Sequence, residues 1–403
     1  MTTPALQITP SRKRAVLVIA ALGTSFSLAA SVMFVPAMPE MAKGLNTSIG
    51  MVQLAITTYL FGNAAGQPTM GALSDYFGRR RVLLSGLAMI IFASIGCALT
   101  DSIGVLLAMR LIQAVGTSAM ITVSRAVVRD LFDRAQGARA MSLVMMAQSL
   151  GPIVAPLIGG YLIFFFDWRA IFWFSALSIG AMALWAWFAF PETNTTQHVP
   201  ANMVRGMLSD YRLLITNRAF LSFSITYMLT FAAFWVFVAT APVLLIHVYG
   251  MPAQEYGLMV ILSTIGFVLG STLSNRLTVR VGLERMIMIG ISMFMLGTSL
   301  VTVLSLLGVN PIVAVLGPML IALTGQGLAS PNFATGAISV MPRIAGTAAG
   351  LLGFLQIGGA GVGTFIVSRL EIGSTLDFGL VMIPFSALAI AGWLVLRTRP
   401  AKP

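Results

Sequence analysis

Two long apolar runs of the sequence are joined by Gly71-Ala72-Leu73-Ser74-Asp75-Tyr76-Phe77-Gly78-Arg79-Arg80-Arg81. Gly71, at the end of the first run, would let two helices approach closely, and Asp75 then follows close to cationic side chains. Gly78 predicts a tight turn, after which the arginines would hold the next helix at a membrane surface. A generic basic loop explains the arginines but not a Gly, an Asp and a second Gly at these offsets. The segment therefore predicts a structured turn between two membrane spans.

The composition supports a membrane protein. The chain has 403 residues, of which 58% are hydrophobic and only 9% are charged, whereas soluble domains spend about 25% of their residues on charge. So few charges could not cover a soluble globule of this size, and the apolar content excludes a disordered or fibrous chain. The apolar runs are too long for barrel strands and do not alternate, so they predict α-helices.

Twelve spans are predicted from the apolar runs. They are residues 15–36, 52–72, 82–100, 103–126, 140–164, 170–190, 219–246, 256–275, 286–307, 312–336, 346–368 and 376–396. The first run follows basic residues but is too long for the apolar core of a signal peptide, so we expect an uncleaved span. Most of the 24 basic residues lie on one side of these spans, and only Lys43, Arg169 and Arg369 lie on the other. This asymmetry predicts that both termini are cytoplasmic.

The spans predict an all-α integral membrane protein built from two six-helix halves. The predicted segments are a cytoplasmic tail at 1–14, the first half at 15–190, a cytoplasmic linker at 191–218, the second half at 219–396 and a tail at 397–403. Gly78 and Gly86 are eight residues apart, as are Gly282 and Gly290, which indicates that the halves are repeats. Parallel repeats of this kind are a known transporter design, with the site near the membrane midplane.

Arg110 lies inside the predicted fourth span, about 10 Å below the outer surface. A central arginine costs about 2.5–3.5 kcal/mol on insertion scales, so it should face protein or water. Gln113 and Thr117 follow at helical spacing and share its face. We therefore predict a polar stripe that faces a cavity, and the alternative is that Arg110 extends to the outer headgroups.

Other spans supply further candidate residues for a cavity. They are Ser31 on span 1, Tyr59, Asn63 and Gln67 on span 2, Tyr227, Phe231 and Trp235 on span 7, and Gln356 on span 11. The aromatic residues would together suit an amphipathic or aromatic small molecule, although helix packing is the alternative for each of them. Span 5 carries Gly151, Pro152, Pro156, Gly159 and Gly160, which predict a kinked helix that packs closely.

The sequence shows no motif typical of a metal site, an enzyme, a channel or a nucleic-acid-binding protein. One cysteine and two distant histidines make no metal motif, and we expect no metal and no cofactor. The sequence has no zinc-protease motif, no serine-hydrolase motif with plausible partners and no phosphate-binding loop, so we expect no enzyme. It has neither a channel-type selectivity filter nor a basic stripe with interleaved aromatic residues, so a channel and nucleic-acid binding are disfavoured.

These motifs resemble those of the major facilitator superfamily. The segment from Gly71 to Arg81 is similar to the family's signature between spans 2 and 3, the span 4 stripe to that of proton-driven exporters, and the span 5 segment to the antiporter motif. Pro191-Glu192-Thr193 and Gly346-Thr347-Ala348-Ala349-Gly350 extend the resemblance to the branch of drug:proton antiporters that confer bicyclomycin and chloramphenicol/florfenicol resistance (Bcr/CflA type).

The resemblance implies a monomeric secondary exporter in the bacterial inner membrane that works by alternating access and uses a proton gradient. It also implies a conformational lock made by Gly71, Asp75, Gly78, Arg79, Arg80, Arg129 and Asp130. The alternative within transport is a facilitator or uniporter for another small metabolite.

One position departs from that branch. Its members usually carry an Asp in span 1, and the corresponding residue here is Val32. Every Asp and Glu of the sequence falls outside the spans or at their ends, so the usual protonatable carboxylate is absent. His247, near the outer end of span 7, could titrate near neutral pH and so take part in proton coupling, and the alternative is an ordinary interfacial side chain.

Overall fold

The computed structural model describes residues 9–132, 134–194, 203–309, 312–370 and 372–396. Residues 1–8 of the predicted tail at 1–14, residues 195–202 of the predicted linker and the predicted tail at 397–403 lie outside the described residues. The chain divides into two compact units, Met1–Ala201 and Asn202–Pro403, and the division falls within the predicted linker.

The first unit is built around one central helix. Its helices are α1 (Pro10–Val32), α2 (Met38–Gly44), α3 (Ile49–Phe77), α4 (Arg79–Leu99), α5 (Ile103–Leu131), α6 (Arg134–Phe165) and α7 (Arg169–Ala189). α5 packs against α1, α3 and α4, while α1 also packs against α6 and α7. The core is aliphatic, with fully buried side chains such as Ile19, Leu83 and Ile179.

The second unit has a similar plan and an additional short helix at its start. Its helices are α8 (Met203–Thr216), α9 (Arg218–Pro242), α10 (Ala253–Val281), α11 (Leu283–Leu306), α12 (Val313–Ser339), α13 (Ala345–Ser368) and α14 (Thr375–Leu396). α12 packs against α10 and α11, and α9 packs against α13 and α14. α8 buries Leu214 in the core of this unit and leaves Leu213 and Ile215 exposed.

The described residues contain twelve helices of at least 21 residues. Eleven candidate spans pass a test of length and apolar composition, and α3 does not. α3 has 29 residues, about 43 Å at 1.5 Å per residue, and it packs along α5. Its buried Gln53, Asn63 and Gln67 lower its hydropathy. The predicted all-helical fold with many spans is confirmed.

Matched glycines place the same helix contacts in both units. A Cβ at any of them would crowd the facing helix, so the close approach of the backbones requires glycine. The contacts of α5 with α3 and α4 involve Gly62, Gly66, Gly86 and Gly116, and those of α12 with α10 and α11 involve Gly266, Gly270, Gly290 and Gly325. The two units are therefore structural repeats at their central helices.

The role predicted for Gly71 is wrong for the described structure. A Cβ at Gly71 would meet no described atom within 4 Å, so no close helix contact depends on it here. Five and nine residues earlier on α3, Gly66 and Gly62 make that contact instead, against Ser118 and Leu111 of α5.

If all twelve long helices cross the membrane, their even number would place both ends of the chain on the same side. The asymmetry of basic residues predicts that this side is the cytoplasm. A reporter that is active only in the cytoplasm, fused to the C-terminus, is therefore expected to be active. Activity of a periplasm-only reporter at the same position would contradict the twelve-span topology.

Candidate functional sites

The predicted polar stripe of α5 faces the interior of the first unit. Arg110 has no accessible surface at all. Its Nη1 donates to the carbonyl of Ala30 at 3.0 Å and to Gln113, its Nη2 donates to the carbonyl of Ser31 at 3.0 Å, and its Nε lies 3.4 Å from the carbonyl of Ala55. The rings of Phe34 and Tyr59 each lie 4.5 Å from the guanidinium carbon. Arg110 therefore joins α1, α3 and α5.

The end of α1 explains how a cation is held there without a carboxylate. The helix ends at Val32, and Pro36 follows in a short 3₁₀ turn. The carbonyls of Ala30 and Ser31 lie in the last turn of α1, where backbone N–H partners run out. This end of a helix carries a partial negative charge and favours cations. Arg110 caps α1, and Val32 itself is buried beside that cap.

The rest of the stripe makes further bonds to neighbouring helices. Gln113 donates from Nε2 to Ser94 Oγ on α4 at 2.7 Å. The hydroxyl of Tyr59 lies 2.7 Å from Thr117 Oγ1 and donates to the carbonyl of Ser27 at 2.6 Å. All of these side chains are buried within the first unit.

The cavity-lining arrangement predicted for these residues is therefore not what the structure describes. Arg110 does not extend to the outer surface, and Gln113 and Thr117 make bonds inside the helix bundle. Asn63 and Gln67 are buried elsewhere on α3, where Gln67 Nε2 donates to Asn63 Oδ1 at 3.0 Å. The helical spacing identified the shared face correctly, but the face packs against protein.

The turn between α3 and α4 is organised by Arg79. Its Nη2 lies 2.5 Å from Asp75 Oδ1, its Nε lies 3.2 Å from Asp130 Oδ2 on α5, and its Nη1 donates to Ser74 Oγ at 2.6 Å. The Arg79 side chain is 5% exposed, so these are bonds of a buried guanidinium. The structure thus brings together three members of the predicted lock, Asp75, Arg79 and Asp130. The side chain of Arg129 lies outside what the structure describes.

Glu192 completes this turn, although the sequence identified it only as part of a family signature. Its carboxylate accepts from the backbone N–H of Arg79 at 2.8 Å and of Arg80 at 3.2 Å, so it caps the first turn of α4. It also accepts from the N–H groups of Thr193 and Asn194, both at 3.0 Å. A carboxylate at a helix N-terminus pairs with free N–H groups and with the positive end of the helix dipole.

Two neighbours of Glu192 bind the same turn. Thr193 Oγ1 donates to Asp130 Oδ2 at 3.3 Å, and Asn194 Nδ2 donates to the carbonyl of Asp75 at 2.7 Å. Arg80 donates to the carbonyl of Trp187 at 2.6 Å near the end of α7. The start of the linker is therefore bonded directly to the charged turn.

Gly78 and its repeat partner Gly282 form a matched pair for mutation. Their φ values are +97° and +90°, so alanine is strained at both, by about 1–2 kcal/mol. A Cβ at Gly78 would overlap the Glu192 carboxylate, whereas one at Gly282 would meet nothing within 4 Å. A cavity of about 480 Å³ lies beside Gly282.

We therefore expect Gly78→Ala to lower the apparent Tm at least twice as much as Gly282→Ala. The measurement is thermal unfolding of the purified variants in detergent. In a protein that already carries Glu192→Ala, the Tm loss caused by Gly78→Ala should be closer to the loss caused by Gly282→Ala, because the overlapping carboxylate is then absent. Equal Tm shifts for the two single variants would contradict the capping role of Glu192.

The glycines of the predicted antiporter motif fit α6 against α1. Cβ atoms at Gly151 and Gly159 would overlap the carbonyl oxygens of Ser25 and Met33. Gly160 and Pro156 are buried and Pro152 is half-buried. Both prolines lie inside the helix. The spacing of Gly151 and Gly159, about two helical turns, places both on the α1 face.

The aromatic candidates of the second unit form one connected cluster. The Tyr227 ring stacks on Phe333 with centroids 5.4 Å apart and meets Phe231 edge-on at 5.8 Å. Phe231 continues to Trp235 at 6.5 Å, and Phe333 continues to Trp393 at 6.1 Å. Phe231 and Trp235 are half-buried, and the others are buried.

Polar groups accompany these rings. Gln356 Nε2 of α13 donates to the Tyr227 hydroxyl at 2.8 Å, and Ser330 of α12 also lies near that hydroxyl. The structure therefore brings together the predicted residues Tyr227, Phe231, Trp235 and Gln356. Sequence analysis missed Ser330 and Phe333, which belong to α12 and face α9.

No group of three or more His, Cys, Asp or Glu side chains capable of holding a metal ion occurs among the described residues. Twelve long helices in two repeated units, with a charged turn and an aromatic cluster with polar groups, define a multi-pass helical membrane protein of the transporter type.

The chain belongs to the major facilitator superfamily, whose sequence profile matches residues 20–364. It is 29% identical over 376 residues to the bicyclomycin resistance protein homolog of Haemophilus influenzae, with 92% of this chain and 93% of that protein covered. It is 30% identical over 353 residues to the chloramphenicol resistance protein of Pseudomonas aeruginosa, with 86% and 82% covered.

The fold is similar to that of a D-xylose–proton symporter, with a TM-score of 0.77, 15% identity and coverage of 95% of this chain and 98% of that chain. At this identity the likeness concerns the fold alone. The predicted family is confirmed, and the protein is a secondary transporter related to drug exporters rather than an enzyme.

Proposed function

We propose that this protein exports amphipathic or aromatic small molecules from the bacterial cytoplasm, acting as a monomer in the inner membrane. The observation that carries the proposal is the aromatic cluster on α9 and α12. Tyr227, Phe231 and Trp235 offer ring faces in the membrane interior, and Gln356 and the Tyr227 hydroxyl add hydrogen-bonding groups. Such a mixture of rings and few polar groups suits a molecule with an aromatic ring and a polar substituent.

The relatives agree with this class of substrate. Two of them are named for resistance to bicyclomycin and to chloramphenicol, and chloramphenicol combines an aromatic ring with hydroxyl and amide groups. We propose that the same class of molecule passes through this protein, which would expose its site alternately to the two sides of the membrane.

The turn around Arg79 would act as the conformational lock of this cycle. Asp75 and Asp130 both pair with its guanidinium, and Glu192 caps the first turn of α4, the helix that follows this turn. Rupture of a few charge-assisted bonds would release α3, α4 and α5 together, which gives a two-state element of the kind that a transport cycle needs.

A second candidate is facilitated transport without a proton gradient. The observation that favours it concerns Arg110, whose described partners are helix carbonyls, Gln113 and two rings, with no carboxylate among them. The acidic residues that the structure describes lie in loops or near helix ends, as Glu40, Asp75, Glu255 and Asp377 illustrate, apart from Asp210 in the middle of the short helix α8.

The test is uptake of radiolabelled chloramphenicol into proteoliposomes, with and without an imposed pH gradient. Export coupled to protons predicts accumulation only with the gradient, whereas facilitated transport predicts equilibration without it. Liposomes without protein serve as the control for leakage. No protein-dependent chloramphenicol movement under either condition would contradict the proposed substrate class.

A further inference from the structure

Gln326 is an exception among the buried amide side chains of the described structure. It lies midway along α12, is 1% exposed, and neither its Oε1 nor its Nε2 has a hydrogen-bond partner. Other buried amides are paired: Gln113 bonds Arg110 and Ser94, and Asn332 bonds Ser274 and Thr278. An unpaired buried amide is costly, so its presence calls for a physical reason.

The position of Gln326 connects it to the aromatic cluster. Ser330 and Phe333 follow it by four and seven residues, so all three share one face of α12. Phe333 stacks on Tyr227, and Ser330 lies near the Tyr227 hydroxyl. The hydroxyl of Ser330 in turn donates to the backbone carbonyl of Gln326 at 2.8 Å. The Gln326 side chain therefore lies on the face of α12 that meets α9, one turn from these bonds.

The repeat shows how the same position is filled in the first unit. Gly116 of α5 and Gly325 of α12 occupy equivalent contacts, against Gly86 and Gly290. The residue that follows is Thr117 in the first unit and Gln326 in the second. Thr117 is bonded to the hydroxyl of Tyr59, so the first unit satisfies this position internally. The second unit presents a longer amide and leaves both of its polar atoms unpaired.

We propose that Gln326 is the polar recognition residue for the substrate in the second unit, an inference that rests on the proposed function. Its amide would pair with a hydroxyl or amide group of an aromatic substrate whose ring packs among Tyr227, Phe231 and Phe333. Because the Gln326 amide breaks no hydrogen bond within the protein when it binds, a hydrogen bond to the substrate in a site without water contributes its full free energy to binding. Molecules without such a group leave the amide unpaired and are disfavoured.

Access to the amide requires a displacement, because Gln326 is enclosed in this structure. Near it, α9 and α12 meet through the stacking of Tyr227 on Phe333, and Ser330 lies near the Tyr227 hydroxyl. A substrate that replaces these contacts with its own ring and polar group can separate the two helices at this level at little net cost.

The first arm of the test needs no substrate. Gln326→Met keeps the length of the side chain and removes the unpaired amide, so the purified variant is expected to unfold at the wild-type Tm or about 2 °C higher. Gln356→Met is the matched control: it removes an amide that is bonded to Tyr227, and it is expected to lower the Tm. A Tm loss in Gln326→Met as large as that of Gln356→Met would overturn the proposal.

The second arm measures binding of two probes by quenching of tryptophan fluorescence. Chloramphenicol carries hydroxyl and amide groups, and tetraphenylphosphonium carries rings without hydrogen-bonding groups. Gln326→Met is expected to bind chloramphenicol at least about tenfold more weakly than the wild type does, because one buried hydrogen bond to this probe is lost. It is expected to bind tetraphenylphosphonium as tightly as the wild type does.

The outcomes separate the two proposals. Unchanged chloramphenicol binding, or equal losses for both probes, would overturn the role of Gln326 while leaving the proposed function intact. A wild-type protein that binds neither probe would overturn the proposed function and the recognition role together, and the Tm comparison would still decide whether the amide is unpaired.

Discussion

Arg110→Ala is expected to give little or no folded protein. The substitution removes every bond that joins α5 to the end of α1 through this side chain and leaves the carbonyls of Ala30 and Ser31 without a partner. It also leaves a void between the rings of Phe34 and Tyr59. We expect a loss of about 3 kcal/mol or more, because several buried bonds to a charged group are lost together.

The measurement is the yield of monodisperse protein in size-exclusion chromatography, together with its apparent Tm. Arg110→Lys should retain part of the stability, since an ammonium can still bond the α1 carbonyls but cannot also reach Ala55 and Gln113. Arg125→Ala is the matched control, because Arg125 is an exposed arginine on the same helix. A well-folded, stable Arg110→Ala protein would show that the cap of α1 is dispensable.

Asp75→Ala is expected to abolish transport and to leave the folded protein nearly intact. The Asp75 side chain is 34% exposed, and a partly exposed ion pair contributes little to stability. Its loss nevertheless frees one side of the Arg79 guanidinium, which keeps Asp130 as an ionic partner. If the turn is a conformational lock, the balance between its two states shifts and the transport cycle stops.

Transport of chloramphenicol into proteoliposomes, compared with the Tm of the same preparation, checks this prediction. Asp101→Ala is the matched control, since Asp101 also pairs with an arginine, Arg169, but lies before α5 and away from the lock. Wild-type transport rates in Asp75→Ala would rule out the lock. A loss of transport accompanied by a large fall in Tm would assign Asp75 a structural role instead.

The sequence was sufficient to predict the class of protein and several of its local features. Apolar runs of about 20 residues can satisfy their backbone only as helices in a membrane, so composition and run length predict the fold class directly. Gly78 also followed from sequence, because a glycine between a helix end and a basic cluster predicts a tight turn, and its φ of +97° is a conformation that favours glycine.

The aromatic candidates were predicted only in part. Tyr227, Phe231 and Trp235 lie on one helix, and helical spacing groups them. Phe333 and Ser330 come from α12, about 100 residues further along the chain, and no local pattern of the sequence connects them to Tyr227. Gln326 was not among the residues predicted from sequence, because only the structure shows that its two polar atoms have no hydrogen-bond partner among the described residues.

The sequence by itself determined that this protein is a helical transporter of two repeated halves, because the period and length of apolar runs are local properties. Only the tertiary structure decided what each polar face meets. Arg110 bonds carbonyls 79 and 80 residues away, and Glu192 caps a helix that begins 113 residues earlier. A helical pattern gives the direction of a side chain within its own helix, whereas its partner depends on how the helices pack, which no local pattern encodes.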